Sequence, residues 1–265
     1  MAGSEQSPRV ITLTTDFGAK DAFVGVMKGV ILSINPQATI VDITHGIPQG
    51  DVDAAAFALD QAYSFFPSHA IHVVVVDPGV GTARRILLVR ANNFFFIAPD
   101  NAVLKYIFSR FPQAAVWSVT NREYFLPNTS QTFHGRDIFA PVAAHLSLGV
   151  SETNVGPRVQ DYLMDDIVLP HKLQKKITGE IVYIDHFGNC ISNISKYDFQ
   201  PEQISEINIK EFQFEALSQS YAEHDVGEPL AIIGSHDHLE IAVRDRNAAQ
   251  ILNIKKGEPV ELIFR

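Results

Sequence analysis

Several short polar segments carry side chains able to handle a small polar ligand. The first is Thr15-Asp16-Phe17-Gly18, followed by Asp21, where a carboxylate just past an apolar run can accept two hydrogen bonds from a ribose-like diol. The second runs from Val76 through Asp77-Pro78-Gly79-Val80-Gly81-Thr82 to Arg84. Its glycines let backbone amides approach a ligand closely, and Asp77 with Arg84 can orient a water molecule. It is not a phosphate loop of the Walker type, because the lysine and the hydroxyl residue after it are missing. The third is Thr132-Phe133-His134-Gly135-Arg136-Asp137, a histidine before a helix start that can serve as base or donor. Ordinary structural duties fit the same residues: a cap and glycine turn at Asp16 and Asp21, a salt-bridged turn at Asp77 and Arg84, a capping segment at Asp137. In the second half, Asp185-His186-Phe187-Gly188-Asn189 sits between two β runs. Asp185 can accept an ammonium group there and Phe187 can cover a planar base, while Gly188-Asn189 also suits a plain hairpin tip. Ser235-His236-Asp237-His238 has a metal-like look, but two histidines two apart on a turn are more simply solvated polar residues.

These segments must be positioned by the elements around them. Val10 to Thr15 reads as a strand, and Asp21 can cap a helix with Phe23, Val26, Met27, Val30, Ile31 and Ile34 at helical spacing. Thr39 to Ile43 is a strand, Asp51 to Ser64 a helix, and Ile71 to Val76 a continuous apolar run expected of a strand buried on both faces. Ile86 to Val89 and Phe94 to Ala98 form a hairpin around Asn92-Asn93. Val103 to Phe111 is helical, Ala115 to Val119 a strand, and Asp137 to Leu148 a helix stopped by Gly149. Alternation of this kind predicts a layered α/β domain with a mostly parallel sheet, whose ligands gather at the carboxyl ends of the strands. Asn154 to Gln174 lacks periodicity and reads as a linker. Short β runs follow, with two related turns, Val226-Gly-Glu-Pro-Leu230 and Lys256-Gly-Glu-Pro-Val260, each feeding a strand. The expected architecture is therefore an N-terminal α/β domain over residues 1–165 and a smaller C-terminal β-barrel over 166–265.

Composition narrows the function classes. The chain has 265 residues, 46% of them hydrophobic, with a mean hydropathy of +0.05, so a substantial core is available. A formal net charge of -9 argues against a broad nucleic-acid surface but not against a cationic small ligand. The single cysteine, Cys190, leaves no intrachain disulfide and no cysteine zinc cluster. Met1 to Pro8 lacks the apolar stretch of a secretory signal, and no window resembles a membrane span, so a cytoplasmic protein is expected.

Taken together and in order, the segments resemble the S-adenosyl-L-methionine hydroxide adenosyltransferase family, relatives of the enzymes that attach fluoride or chloride to the same substrate. The resemblance runs from Ile11 to the C-terminus. It rests on Thr15-Asp-Phe-Gly18 with Asp21, Val24-Gly25 and Met27-Lys-Gly-Val30; Asp77-Pro-Gly-Val-Gly-Thr82 with Arg84; Phe133-His-Gly-Arg-Asp137; Asp185-His-Phe-Gly-Asn189; and Gly234-Ser235 with Leu239-Glu-Ile-Ala242. Where halogenating relatives carry tyrosine, threonine and a Tyr-Ser pair, this chain has Asp77, Val80 and His134-Gly135, the hydroxide pattern. It also has His236 where they have arginine, and about Gly50 where they have a stacking tryptophan.

The resemblance implies hydrolysis of S-adenosyl-L-methionine to adenosine and methionine, in a homotrimer with active sites between subunits. It implies that Asp77, Arg84 and His134 activate water and that Asp16 holds the ribose. Asp185 and Ser235 meet the methionine end, and Phe187 and Asn189 line the adenosine pocket; Asp21, Arg246 and Ala248 complete the implied substrate contacts. A sulfonium leaves as a neutral thioether, so neither a general acid nor a metal cofactor is expected; the difficulty is to activate and align water. Asp77 and His134 are expected to accept hydrogen bonds from that water, with Arg84 favouring hydroxide character. Other readings are a metal-dependent hydrolase using Asp16, Asp21, Asp77, His134 and His145, and a non-catalytic sensor of adenosine or S-adenosylmethionine.

Overall fold

A computed structural model describes residues 10–265, which divide into two compact units, the first ending at Asp166 and the second spanning Ile167–Arg265. The Met1 to Pro8 segment lies outside the described residues.

The first unit is built on a six-stranded sheet. Its strands are β1 (Val10–Thr15), β2 (Thr39–Thr44), β3 (Ile71–Val75), β4 (Ile86–Ala91), β5 (Phe94–Pro99) and β6 (Ala115–Ser118), in the spatial order β2-β1-β3-β5-β4-β6. The pairs among β2, β1, β3 and β5 are parallel, whereas β4 runs antiparallel to both β5 and β6. The β4–β5 hairpin turns at Asn92, whose φ of 52° suits asparagine. Every residue of β3 is buried, which explains its unbroken apolar run. One sheet face, through Ile11, Leu13, Ile71, Val73 and Ile97, packs on α1 (Phe23–Ile34) and α4 (Ala140–Ser147). The other face carries His72 and Phe96 and receives Tyr63, just past α2 (Val52–Ala62). Asp51 caps α2 by accepting the Ala54 amide, and α3 (Lys105–Arg110) completes the helices of this unit.

Three local expectations change. The helix α1 starts at Phe23 with Ala22 as its cap residue and no side-chain cap, so exposed Asp21 does not cap it. Residues 135–139 form a π-helical turn leading into α4; Asp137 lies inside it, fully buried, paired with Arg136 and accepting the Ser130 amide. The Asn154 to Gln174 stretch is not a bare linker: the Pro157 carbonyl accepts from the Ser118 amide, and the Val159 amide donates to Val116, which extends the sheet edge at β6.

The second unit is an antiparallel, barrel-like sheet. Its strands are β7 (His171–Leu173), β8 (Lys176–Ile184), β9 (Cys190–Ser195), β10 (Ile204–Ile209), β11 (Phe212–Phe214), β12 (Pro229–Ile233), β13 (His238–Val243) and β14 (Pro259–Phe264). The order is β11-β10-β14-β8-β9-β13-β12, with β7 on β8. Ile177, Ile181, Ile207, Leu239, Ile241 and Leu262 fill its interior, joined by Ala248 at the start of α5 (Ala248–Ile251). The two Gly-Glu-Pro turns place Gly227 at φ 88° and Gly257 at φ 84°, the left-handed region where glycine is unstrained, directly before β12 and β14.

Candidate active site

Asp16 and Asp77 stand one and two residues beyond the ends of β1 and β3, which are parallel neighbours with Thr15 opposite Val75. The topology therefore brings both carboxylates to the carboxyl ends of neighbouring interior strands, the position where parallel α/β sheets collect ligands. The loop after β1 is fixed by backbone contacts. The Gly18 amide donates to the His45 carbonyl at 2.8 Å, and Asp16 Oδ2 accepts the Gly50 amide at 2.9 Å. Behind it, Thr15 Oγ1 meets His45 Nδ1 at 2.9 Å.

The loop after β3 closes on itself. Thr82 Oγ1 donates to the Gly79 carbonyl at 2.7 Å and accepts the Arg84 amide at 3.3 Å. This folds Arg84 back onto Asp77: Arg84 Nε donates to Asp77 Oδ2 at 2.7 Å, and Nη2 donates to the same oxygen. The Asp77 side chain is 4% exposed, so this is not a solvent-facing ion pair. Asp77 Oδ1 is buried and has no hydrogen-bond partner. With no protein partner, this oxygen is the acceptor left for a molecule entering the pocket that Asp77 lines.

His134 joins through the same guanidinium. Arg84 Nη2 lies 2.8 Å from His134 Nδ1. A guanidinium can only donate, so Nδ1 accepts and a neutral ring carries its proton on Nε2. Burial, then the positive charge of Arg84, lowers the His134 pKa; Asp77, Asp137 and the Ser130 carbonyl pull weakly the other way. Asp77, Arg84 and His134 thus form one connected set. Asp16, Asp77 and His134 line a pocket of about 60 Å³ with Phe17, Val80 and Phe133. Phe17 and Phe133 pack edge-on at 5.8 Å, and Gly135 permits this because a Cβ there would press on Met27, Phe133 and Phe17.

The residues expected from the second half gather in the second unit. Asp185, Phe187, Asn189, Ser235 and Arg246 line a cavity of about 770 Å³. Asp185 accepts the Asn189 amide at 2.8 Å and the Asn189 side-chain nitrogen at 3.0 Å, closing the β8–β9 turn. Gly188 sits at φ 89° directly against Asn247, where any side chain would collide. Phe187 is 73% exposed and so presents a free ring face.

Not every expected residue is part of these pockets. Ala248 is fully buried in the barrel core and lines neither cavity. His145 lies on α4 in edge contact with Tyr124. Among the described residues, no group of three or more His, Cys, Asp or Glu side chains is arranged to hold a metal ion. His236 does line the larger cavity, and so do two residues to which sequence reasoning gave no role, Glu240 and Tyr221. Glu240 had a usable signal: in Leu239-Glu-Ile-Ala242 strand alternation turns it away from the barrel core. Tyr221 had none, because it arrives from a distant, irregular segment.

Known proteins resemble this chain along most of its length. The family model for the SAM hydroxide adenosyltransferase N-terminal domain matches residues 11–156, and that for the C-terminal domain matches residues 179–261. The chain is 36% identical to an (R)-S-adenosyl-L-methionine hydrolase of Salinispora tropica, over 94% of this chain and 95% of the relative. It is 32% identical to an (R)-S-adenosyl-L-methionine hydrolase of Thermus thermophilus, over 96% of this chain and all of the relative. A crystal structure of an uncharacterized conserved protein from Thermotoga maritima superposes with a TM-score of 0.88 at 37% identity, covering 96% of this chain and 99% of that one. With both family models matched in order across most of its length, the chain belongs to the SAM hydroxide adenosyltransferase family.

Proposed function

We propose that this protein hydrolyses S-adenosyl-L-methionine to adenosine and L-methionine by attack of water at C5′ of the ribose. The observation that carries the reading is the Asp77–Arg84–His134 set, with Asp77 Oδ1 buried and bare in a pocket that Asp16 also lines. In the reaction the C5′–O bond forms as the C5′–S bond breaks. Sulfur keeps the electron pair and leaves as a neutral thioether, and one proton is released. Departure therefore needs no acid and no Lewis acid, and we read the enzyme as metal-independent.

The hydrogen-bond directions divide the work on water. Asp77 Oδ1 is the acceptor for a water O–H. His134 Nδ1 is engaged by Arg84, so while that bond stands His134 is not a second acceptor there; the ring locks the guanidinium in place. Arg84 supplies positive potential that favours hydroxide character. Asp16 is read as the ribose ligand, and Phe17 and Phe133 as walls that exclude stray water. In the second unit Asp185 and Ser235 are assigned to the methionine end, Phe187 and Asn189 to adenosine. Asp21 stays in the substrate-binding set, although it is exposed ahead of α1 and lines neither cavity.

The assembly is read as a homotrimer in which one chain contributes the Asp16, Asp77 and His134 loops and a neighbour contributes Asp185 and Ser235. Two observations support it. The candidate residues divide between the two units, and α1 leaves Phe23, Val26 and Leu32 exposed. Among the described residues no helix is long and apolar enough to cross a membrane, which fits the cytoplasmic location we assign.

The test is turnover of S-adenosylmethionine in ¹⁸O-water with chelator present. Adenosine labelled in its 5′ hydroxyl beside unlabelled methionine is the expected result. Label in an amino-acid product, no adenosine at all, or activity that returns only with a divalent metal would overturn the reading.

A further inference from the structure

Glu240 is 4% exposed, yet it lines the large cavity of the second unit. It sits in β13 between β9 and β12, opposite Ile191 and Ile232. Its strand neighbours Leu239 and Ile241 point into the barrel core, so alternation puts the Glu240 carboxylate on the cavity face. The Tyr221 hydroxyl donates to Oε1 at 2.6 Å. Oε2 lies against the backbone at Gly234, which has no room for a side chain there. The carboxylate is thus fixed in place by a donor on one side and a bare backbone on the other, next to Ser235.

A second carboxylate, Asp185, lines the same cavity. Its hydrogen bonds come from Asn189, and that of Glu240 comes from Tyr221; the basic residues on the same wall are His236, which feels the Asp185 charge, and Arg246, whose guanidinium donates to the Asp245 carbonyl. Burial, and the negative charge of Asp185, raise the Glu240 pKa despite the Tyr221 hydrogen bond. Two like charges at one cavity wall are unfavourable unless a cation comes between or beside them. A ligand cation with N–H donors satisfies both the charge and the carboxylate lone pairs. A sulfonium, which has no donor, satisfies only the charge.

We propose that Glu240 is a specificity-determining residue of this cavity: held by Tyr221 near Asp185, it selects ligands that carry a primary ammonium group over the same ligands without one. This rests on the reading of the cavity as part of the S-adenosylmethionine site and identifies a residue that sets the preference for an intact amino-acid end. Glu240 acts on recognition, so its loss raises KM more than it lowers kcat.

The experiment compares binding of three probes to the full-length protein: S-adenosyl-L-homocysteine, its deaminated analogue, and adenosine. None of them carries the sulfonium, which isolates the ammonium. In Glu240→Gln, which keeps the shape and an acceptor for Tyr221, affinity for S-adenosylhomocysteine is expected to fall tenfold or more. Affinity for the other two should stay within twofold. Tyr221→Phe, which removes the donor and keeps the ring, should lose part of the same discrimination. Equal losses for all three probes would mean a structural role and overturn the proposal, as would unchanged affinity for S-adenosylhomocysteine or a wild type that fails to prefer it over the deaminated analogue. A wild type that makes no adenosine from S-adenosylmethionine strikes instead at the functional reading, and is scored separately.

Discussion

Asp77 and His134 both bond to the Arg84 guanidinium but differ in what remains free: Asp77 binds it through Oδ2 and leaves Oδ1 without a partner, whereas His134 Nδ1 is occupied by Arg84. That difference ranks their substitutions. Asp77→Ala is expected to slow single-turnover hydrolysis by about 10²–10⁴, the range of a general-base contribution, and to do more harm than His134→Ala. Both should leave S-adenosylmethionine affinity within about tenfold, roughly 1.4 kcal/mol, because Asp77 acts on the water and His134 on the Arg84 guanidinium rather than on the substrate. Asp16→Ala should lose affinity along with rate, since a ribose ligand also acts in the ground state. Calorimetry beside rapid-quench kinetics separates the cases, and near wild-type turnover in Asp77→Ala would leave Asp77 as a plain salt-bridge partner.

At the scale of elements, the site depends on how closely two loops approach. Gly81 has φ 79°, and a Cβ at this position would run into the Gln131 backbone carbonyl of the segment that leads to His134. The obstacle is main chain, so no side-chain rotation relieves it. Gly81→Ala is expected to cost about 1–3 kcal/mol and to separate the Asp77 loop from the His134 segment, so activity falls further than stability. Gly227 offers a control: its φ is 88° but nothing lies within 4 Å, so Gly227→Ala carries backbone strain alone, about 1 kcal/mol, with activity retained. Thermal melts and turnover on both variants check this. Equal activity in the two variants would show that loop apposition is not limiting.

For the whole molecule, the buried His72 links the fold to pH. It is fully buried, stacks on Phe96 at 5.1 Å, meets Thr12 Oγ1 at 2.8 Å through Nδ1, and has no partner at Nε2. Burial pushes its pKa down from 6.5 to about 3. The folded state therefore resists a proton that the unfolded chain accepts. No penalty exists well above pH 6.5; below it, stability falls by about 1.4 kcal/mol per pH unit until about pH 3. His134, His145 and His236, all lowered first by burial, act in the same sense. Urea unfolding between pH 7.5 and 5 should show this loss. A His72→Gln variant should be less stable at pH 7.5 but decline less steeply, whereas an unchanged slope would remove His72 from the account.

Much of the architecture was legible because it is written in local periodicity. The buried run of β3, the hairpin at Asn92-Asn93 and the Gly-Glu-Pro turns follow from side-chain alternation and from backbone angles that few residues tolerate. The ordered motifs likewise named the residues worth placing. Their spacing could not decide what each atom bonds to. That Asp77 keeps a bare oxygen while His134 Nδ1 is taken depends on where the Thr82 turn directs the Arg84 guanidinium, fifty residues from His134 in sequence. That Asp21 leaves α1 uncapped, and that Asp137 enters a π-turn bound to Ser130, depends on backbone geometry that a capping pattern does not specify. Glu240 and Tyr221 meet across nineteen residues of turn and strand. Contacts between segments distant in sequence are set by packing, which minimises voids and unpaired polar groups over the whole unit at once; a local pattern carries no record of that solution.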